Sequence, residues 1–327
     1  MRNLSFSESS WPLAKAFVIA RGARTQADVI QVKIQQGDCL GQGECVPYAR
    51  YGESLTSVSE QILAIQPMIE KGLSIADLQQ AMPAGAARNA VDCALWDLEA
   101  RLKNDSVARL TQLGQPGSMV SAQTLSIDTP ANMAKEARQY RDYPLLKVKL
   151  DADLVLERIQ AVHKAAPNSK FILDANEAWD IDLLNTIATP LAEANVALIE
   201  QPLSANDDKT LSDYKGTIPL CADESFHCHK DLPELVNRYH AINIKLDKTG
   251  GLTEAMTCLE AARATNLQVM VGCMVGTSLA MAPATLLGQH ADFVDLDGPA
   301  LMAKDVANGF KYQAGQMSAL NPNLWGN

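Results

Sequence analysis

Three acidic side chains stand at the ends of successive short apolar segments of the sequence. Asp174 lies in FILDAN, Glu200 in VALIEQP and Asp223 in PLCADES. If these segments are neighbouring parallel strands, their carboxyl ends meet and bring the three carboxylates close together. Such a cluster needs a cation, and oxygen ligands with open positions suit Mg²⁺ better than Zn²⁺. The pattern therefore predicts a Mg²⁺ site with one ion per subunit.

Lysines flank the predicted metal site in segments of the same kind. Lys147 and Lys149 lie two residues apart in LKVKL and so share one strand face, and Lys245 follows the apolar run AINI. Two ammonium groups about 6 Å apart repel by roughly 3 kcal/mol at an effective dielectric constant of about 20, which favours one neutral lysine that can act as a base. Lysines on both sides of a substrate suit removal of a proton from a carbon next to a carboxylate, and its return to the other face. We therefore predict inversion at that carbon through an enediolate.

A repeating pattern in the sequence predicts the scaffold that gathers these residues. From residue 121 onward, short apolar runs alternate with helical stretches, and the runs begin 22–27 residues apart. That interval accommodates a strand, a helix and two short loops. The eight runs begin at Ser121, Leu146, Phe171, Val196, Pro219, Ala241, Gln268 and Phe293. Eight such strands close a modified (β/α)8-type TIM barrel, whose active site lies at the carboxyl ends of the strands.

The first 115 residues have a different texture, which is typical of an α+β unit. Extended segments at 17–19 and 29–34 precede a predicted turn at 37–43, and amphipathic helices follow at about 55–69 and 86–102. We predict an α/β protein with a capping domain over 1–115 and a TIM-like barrel over 116–298. The loop-rich segment 299–327 is expected to return to the capping domain and complete it.

Composition and charge restrict the class of partner. The net charge of −10 opposes binding to nucleic acid and to anionic membranes. Seven cysteines without a CxxC pair favour a reducing compartment, and the first residues lack the apolar core of a signal peptide. The uncharged stretch 264–291 is interrupted by Gly, Ser, Thr and Pro, so we interpret it as a buried strand, a loop and a packed helix. We predict a cytoplasmic protein with a small-molecule substrate and leave the oligomeric state open, with a homo-oligomer as one alternative.

The order of the site motifs resembles that of a known enzyme family. KVKL, LDAN, IEQP, ADES, NIKLDKTGG and DLDGP occur in this order along the predicted strands, after IARGAR, GECVPYARYGES and GAARNAVDCALWDLEA in the N-terminal unit. Together they resemble the muconate-lactonising subgroup of the enolase superfamily, and DLDGP narrows the resemblance to the L-Ala-D/L-Glu epimerases. The resemblance covers nearly the whole chain. It implies that Asp174, Glu200 and Asp223 bind Mg²⁺ and that Lys149 and Lys245 are the acid/base pair.

The resemblance also implies contacts with a dipeptide. Lys147 would lie beside the α-carboxylate of the substrate. Asp295 and Asp297 would bind its α-ammonium, and their spacing of two residues on one strand face suits a shared cation. Arg24, in the first capping loop, would bind the distal carboxylate of a glutamate residue. The remaining implied contacts are Thr124 and the main chain at Cys273.

We therefore predict a Mg²⁺-dependent epimerase that inverts the C-terminal residue of L-Ala-D/L-Glu dipeptides by proton transfer between two lysines, in murein peptide metabolism. Two alternatives stay open. An o-succinylbenzoate synthase or a muconate cycloisomerase-like lyase would use the same metal and lysines, but its substrate has no ammonium for Asp295 and Asp297. A non-catalytic binding protein on the same scaffold would not need every metal ligand and both lysines.

Overall fold

A three-stranded antiparallel sheet and four helices form the N-terminal part of the computed structural model, which describes all 327 residues. The sheet has the order β1-β2-β3. The strands are β1 (Arg2–Ile19), β2 (Gly22–Gln36) and β3 (Cys39–Cys45), and the helices are α1 (Leu55–Glu70), α2 (Ile75–Ala81), α3 (Ala86–Lys103) and α4 (Val107–Leu110).

The predicted turn at 37–43 is wrong, because most of these residues belong to β3. Only two residues form the turn, and Gly37 has a φ of 59°, which favours glycine. The other two glycines instead allow α3 to lie directly against the strand. A Cβ atom at Gly41 would lie 2.1 Å from the main-chain oxygen of Ala94, and one at Gly43 would lie 2.2 Å from that of Ala90. These glycines therefore serve helix–sheet packing rather than a turn.

Eight parallel strands in sequence order form the barrel. The sheet closes where the main-chain nitrogen of Ala122 donates a hydrogen bond to the oxygen of Val294 (2.8 Å). After a short strand β4 (Met119–Val120), the barrel strands are β5 (Gln123–Leu125), β6 (Leu145–Lys149), β7 (Lys170–Asp174), β8 (Val196–Glu200), β9 (Leu220–Ala222), β10 (Ala241–Ile244), β11 (Gln268–Gly272) and β12 (Phe293–Asp295). Each predicted apolar run contains one of them, so the predicted barrel fold is confirmed.

Helices connect the barrel strands. They are α5 (Pro130–Ala137), α6 (Val155–Ala165), α7 (Ile181–Ala192), α8 (Leu232–Leu235), α9 (Leu246–Thr249), α10 (Leu252–Ala264), α11 (Ser278–Met281) and α12 (Ala284–Gly288). The uncharged stretch 264–291 contains β11 and the two short helices α11 and α12. None of the helices combines the length and the apolar composition that a membrane crossing requires.

The last residues of the chain contact both the barrel and the N-terminal sheet. Strands β13 (Tyr312–Gln313) and β14 (Gln316–Met317) form an antiparallel sheet with β4. The indole nitrogen of Trp325 then donates to the main-chain oxygens of Gln42 (3.0 Å) and Cys93 (3.1 Å). The main-chain nitrogen of Gly326 donates to Asp97 (2.8 Å). The end of the chain is thus tied to β3 and α3, while the boundaries at 115 and 298 stay a prediction.

Candidate active site

A pocket of about 410 Å³ lies between the loops of the N-terminal sheet and the carboxyl ends of the barrel strands. It contains nine of the eleven residues predicted from the sequence, namely Arg24, Thr124, Lys147, Lys149, Asp223, Lys245, Cys273, Asp295 and Asp297. The other two, Asp174 and Glu200, are fully buried directly beneath the pocket wall. The structure therefore gathers the predicted residues at one place.

Each lysine of the predicted acid/base pair lies against one of the predicted metal ligands. Lys149 Nζ is 2.5 Å from Asp174 Oδ2, and Lys245 Nζ is 2.6 Å from Asp223 Oδ2. Strand register explains the first contact, since Lys149 and Asp174 are directly paired across β6 and β7. The next register pair places Glu200 of β8 beside Asp174. Asp174 and Glu200 consequently lie at one level of the barrel, and Asp223 directly follows the end of β9.

Lys147 occupies the centre of this arrangement. Its ammonium lies 2.6 Å from Glu200 Oε2, 2.7 Å from Asp295 Oδ2 and 3.1 Å from Asp174 Oδ2. Only 2% of its side chain is exposed, so nearly all of its compensation for lost hydration comes from these carboxylates. Lys147 therefore links the predicted metal ligands to Asp295, the last residue of β12, whereas Asp297 lies beyond the end of that strand.

The donor set fits a hard cation. As the side chains stand, no group of three acidic, histidine or cysteine residues is arranged to hold a metal ion, because lysines lie between the carboxylates. However, Asp174, Glu200 and Asp223 are buried oxygen donors, and Glu200 Oε2 has no hydrogen-bond partner despite its short contact with Lys147. Buried carboxylates with spare oxygen lone pairs are the ligands that Mg²⁺ prefers.

The pKa shifts follow from burial and from the surplus of acidic groups. Burial, reinforced by the charge of Asp174, raises the pKa of Glu200 to about 7. Burial alone would lower the pKa of Lys245, but Asp223 and Glu200 outweigh it and raise that pKa well above its ordinary value. Carboxylates rather than ammonium groups therefore dominate the surroundings of Lys245, and the neutral lysine expected from the sequence stays a prediction.

A second acidic pair lines the wall beside β12. Asp297 Oδ2 accepts a hydrogen bond from the main-chain nitrogen of Thr124 (2.6 Å), and Asp295 Oδ2 accepts one from Lys147. Asp295 Oδ1 is buried without a partner. Burial and the nearby charge of Asp295 raise the pKa of Asp297 to about 7. Lys147 is the one lysine that lies against this pair of carboxylates, so the pair can also accept a cationic group from a ligand.

Two arginines of the N-terminal loops form ion pairs with barrel loops. Arg21 lies 2.6 Å from Glu224 and 3.3 Å from Glu177, and Arg50 makes two hydrogen bonds of 2.8 Å to Glu177. The Glu224 side chain is only 1% exposed and points toward Arg21 rather than toward the predicted metal ligands. These pairs close the loops over the pocket.

Arg24 lies near the start of β2, paired with Phe17 of β1, and not in the capping loop where it was expected, because the loop between these strands is only two residues long. It differs from Arg21 and Arg50 because it forms no ion pair within the chain. Its guanidinium lies over the ring of Tyr48, 4.9 Å from the centroid, and Tyr48 in turn packs against Tyr51 at 5.5 Å. Arg24 is exposed and lines the pocket. It is therefore a free cation held on an aromatic surface at the pocket entrance.

Three residues that position the predicted ligands were missed at the level of the sequence. Asn243 donates to Glu200 Oε1 (2.7 Å), and Gln201 accepts a hydrogen bond from the main-chain nitrogen of Asp223 (2.9 Å). Lys248 lies 2.6 Å from Asp223 Oδ1. The available signal was a polar residue within three positions of a predicted ligand or lysine, in an otherwise apolar segment.

The two parts of the chain match two described protein families. Residues 1–112 match the N-terminal domain of mandelate racemase and muconate-lactonising enzymes, and residues 131–321 match the enolase C-terminal domain-like family. The chain therefore belongs to the mandelate racemase and muconate-lactonising group of the enolase superfamily, which confirms the resemblance inferred from the motifs.

Two similar relatives carry different names. The L-Ala-D/L-Glu epimerase of Escherichia coli K12 is 46% identical over 97% of this chain and 99% of its own length. The N-acetyl-D-glutamate racemase of a Pseudoalteromonas species is 47% identical over 91% of this chain and 95% of its own length. The two names share a glutamate residue and differ in what its nitrogen carries.

Two solved structures are similar over almost their whole length. An enolase family member from Agrobacterium tumefaciens, with bound sodium and L-Ala-L-Glu, has a TM-score of 0.97 and 45% identity, with complete coverage of both chains. A dipeptide epimerase from Enterococcus faecalis V583, complexed with Mg and L-Leu-L-Tyr, has a TM-score of 0.91 and 26% identity and covers 99% of both chains. Structural neighbours of this chain thus bind dipeptides, and at least one of them binds Mg.

Proposed function

We propose that this protein is a dipeptide epimerase that inverts the C-terminal residue of L-Ala-D/L-Glu dipeptides. The observation that carries the proposal is the placement of two lysines on opposite sides of one pocket. Lys149 ends β6 and Lys245 follows β10, and these strands are separated by three others in an eight-stranded barrel. Both side chains line the pocket. A carbon between them can lose a proton from one face to one lysine and gain a proton on the opposite face from the other lysine.

The proposed proton transfer uses both lysines in turn. In one direction the neutral amine of one lysine takes the α-proton while the ammonium of the other donates a proton to the opposite face, and in the reverse direction the roles exchange. Asp174, Glu200 and Asp223 would hold Mg²⁺. The ion would supply positive charge that competes with the lysines for these carboxylates and stabilises negative charge on the substrate. Lys147 would add a fixed positive charge beside the α-carboxylate.

The two ends of the pocket support a dipeptide with a terminal ammonium and an acidic side chain. Asp295 and Asp297 would bind the ammonium, since Lys147 pairs with Asp295 and no lysine pairs with Asp297. Arg24 would bind the distal carboxylate, because it has no acidic partner within the chain and lies at the pocket entrance. Binding at both ends would hold the α-carbon between Lys149 and Lys245.

An N-acylglutamate racemase is the second candidate, and it rests on the 47% identity to the Pseudoalteromonas enzyme. An acetyl group is neutral and would leave the buried carboxylates of Asp295 and Asp297 facing an uncharged amide. Desolvating carboxylates without a cationic partner costs free energy. The acidic pair therefore favours the dipeptide.

The test is ¹H NMR spectroscopy of L-Ala-L-Glu in D₂O with enzyme and Mg²⁺, with Lys149→Ala as the control. We expect the signal of the glutamate α-proton to disappear as signals of the other diastereomer grow, and no growth of the other diastereomer in the control. Persistence of the α-proton would refute the dipeptide assignment, and the same experiment on N-acetylglutamate and on a succinylbenzoate precursor would then decide between racemase and lyase.

The proposal extends to the cellular setting of the protein. A role in murein peptide metabolism would follow from the substrate alone. A cytoplasmic location is supported by the seven cysteines, all of which are free thiols in the structure.

A further inference from the structure

Lys248 is a buried lysine whose only acidic partner is a predicted metal ligand. It is 2% exposed, and its ammonium lies 2.6 Å from Asp223 Oδ1 and 2.5 Å from the main-chain oxygen of the same residue. The other carboxylate oxygen, Oδ2, contacts Lys245 at 2.6 Å. A buried ammonium costs several kcal/mol unless it is paired and hydrogen-bonded. Asp223 meets that requirement for Lys248 with both its side chain and its main chain.

The segment that carries Lys248 is held from the N-terminal domain. Asp247 accepts a hydrogen bond of 2.8 Å from Asn89 of α3. Arg88, also in α3, donates to the main-chain oxygen of Thr249 at 2.7 Å. Both neighbours of Lys248 are thus fixed by buried contacts. The lysine therefore has little freedom to move away from Asp223.

Lys248 does not belong to the wall of the substrate pocket, so it acts on Asp223 and not on the substrate. We propose that Lys248 is a positioning residue that holds the Asp223 carboxylate in one orientation for Mg²⁺. By occupying Oδ1, it leaves Oδ2, which Lys245 contacts in this structure, as the oxygen that Asp223 can offer to a cation in exchange for that contact. The inference rests on the proposed function, which makes Asp223 a ligand. Residues that orient a metal ligand typically contribute about 10–100-fold to metal affinity.

The experiment measures Mg²⁺ affinity directly, by isothermal titration calorimetry of the full chain without substrate. Lys248→Met keeps the length of the side chain and removes its charge. We expect its Kd for Mg²⁺ to rise by about 10–100-fold. At saturating Mg²⁺, kcat should return to within a few-fold of the wild-type value, because Lys248 does not contact the substrate. An unchanged Kd would overturn the proposal.

A matched control separates positioning from simple stabilisation. Arg158 is another buried cation with an acidic partner, Asp151, and it lies outside the pocket. We expect Arg158→Met to lower the melting temperature without changing the Kd for Mg²⁺. If both variants lower the melting temperature and neither changes the Kd, Lys248 has only a structural role and the proposal fails.

A second variant keeps the test decisive if Lys248→Met does not fold. Lys248→Gln retains a hydrogen-bond donor on a shorter side chain, so we expect a smaller rise in Kd, of about three- to tenfold. An unchanged Kd in this variant would also overturn the proposal. If the wild-type protein bound Mg²⁺ but did not epimerise the dipeptide, the proposed function would fail while the Kd comparison still decided the role of Lys248. Absence of Mg²⁺ binding by the wild-type protein would refute both.

Discussion

The barrel mouth and the N-terminal loops both bring charged side chains to the pocket, but under opposite conditions. At the barrel mouth the lysines and carboxylates are almost completely buried, and strand register sets their positions. In the N-terminal domain the loop arginines Arg21 and Arg50 are partly exposed, and Arg24, near the start of β2, rests on an aromatic ring without an acidic partner. The difference indicates that the chemical step depends on the rigid region and that substrate choice depends on the adaptable one.

The largest effect should come from the acid/base lysines at the barrel mouth. Lys149→Ala and Lys245→Ala should each lower the epimerisation rate by about 10²–10⁴-fold, the usual contribution of general acid–base catalysis. Each variant should retain, at most, α-proton exchange of one diastereomer, since one face keeps its base. The measurement is ¹H NMR in D₂O, started separately from L-Ala-L-Glu and from L-Ala-D-Glu. Wild-type rates in either variant would contradict a two-lysine mechanism.

The acidic pair Asp295 and Asp297 should have the next largest effect. Asp297→Asn keeps an oxygen that can accept the hydrogen bond from Thr124 but removes the charge. Because a charged hydrogen bond is worth about 1.5–3 kcal/mol, we expect KM for L-Ala-L-Glu to rise by about 10–150-fold. Steady-state kinetics with N-acetylglutamate provide the control, and its kcat/KM should not fall. An equal loss for both substrates would place Asp297 outside ammonium recognition.

The raised pKa of Asp297 predicts a pH dependence of substrate capture. Only the ionised carboxylate attracts the ammonium, so protonation below its pKa of about 7 should weaken binding. We expect kcat/KM for the dipeptide to be about tenfold lower at pH 6 than on its plateau, and to fall again above about pH 8 as the dipeptide amine loses its proton. The acidic limb should disappear in Asp297→Asn. A limb that persists there belongs to another group.

A substitution of Arg24 tests how the N-terminal domain contributes to substrate choice. Arg24→Met keeps an unbranched apolar stem and removes the charge that would meet the distal carboxylate. An exposed ion pair is worth at most about 1 kcal/mol, so the preference for L-Ala-L-Glu over L-Ala-L-Gln should fall by about fivefold. Competition between the two substrates, followed by NMR, measures this ratio. A change in kcat of both substrates without a change in preference would exclude the proposed contact.

The smallest effect should come from the aromatic support of Arg24. A cation–π contact at an exposed site contributes about 0.5 kcal/mol, so Tyr48→Leu should reduce the same preference by about twofold. Tyr48→Phe keeps the ring and should leave the preference unchanged. If the phenylalanine variant lost as much as the leucine variant, the hydroxyl group rather than the ring would support the loop.

The barrel and its mouth could be predicted from the sequence because the residues that form them recur at regular intervals along the chain. Apolar runs at regular intervals predict the strands, and a polar residue at the end of a run predicts a side chain at the mouth. Contacts between distant segments have no such period. Asn243 and Lys248 were missed because their partners, Glu200 and Asp223, come from other strands and appear only after folding.

One other error has a separate physical cause. Gly41 and Gly43 suggested a turn, since close packing against a helix leaves the same signature in a sequence as a bend. The sequence showed that the lysines repel one another but not how many carboxylates surround Lys245 and raise its pKa. Arg24 could be selected only through the family resemblance, because no pattern in the sequence distinguishes one exposed arginine from another. The roles of the site residues stay predictions until the variants are measured.

The ion pair between Arg21 and Glu224 limits how this scaffold can exchange parts with its relatives. Glu224 has a nearly inaccessible side chain, and its only cationic partner within ion-pair distance comes from the loop between β1 and β2. A grafted loop without an arginine at this position would leave a buried carboxylate without compensation next to the active site. Recombination between relatives should therefore succeed when the loop and the acidic residues of the barrel are inherited together. New specificities would then arise by exchange of matched sets rather than of single loops.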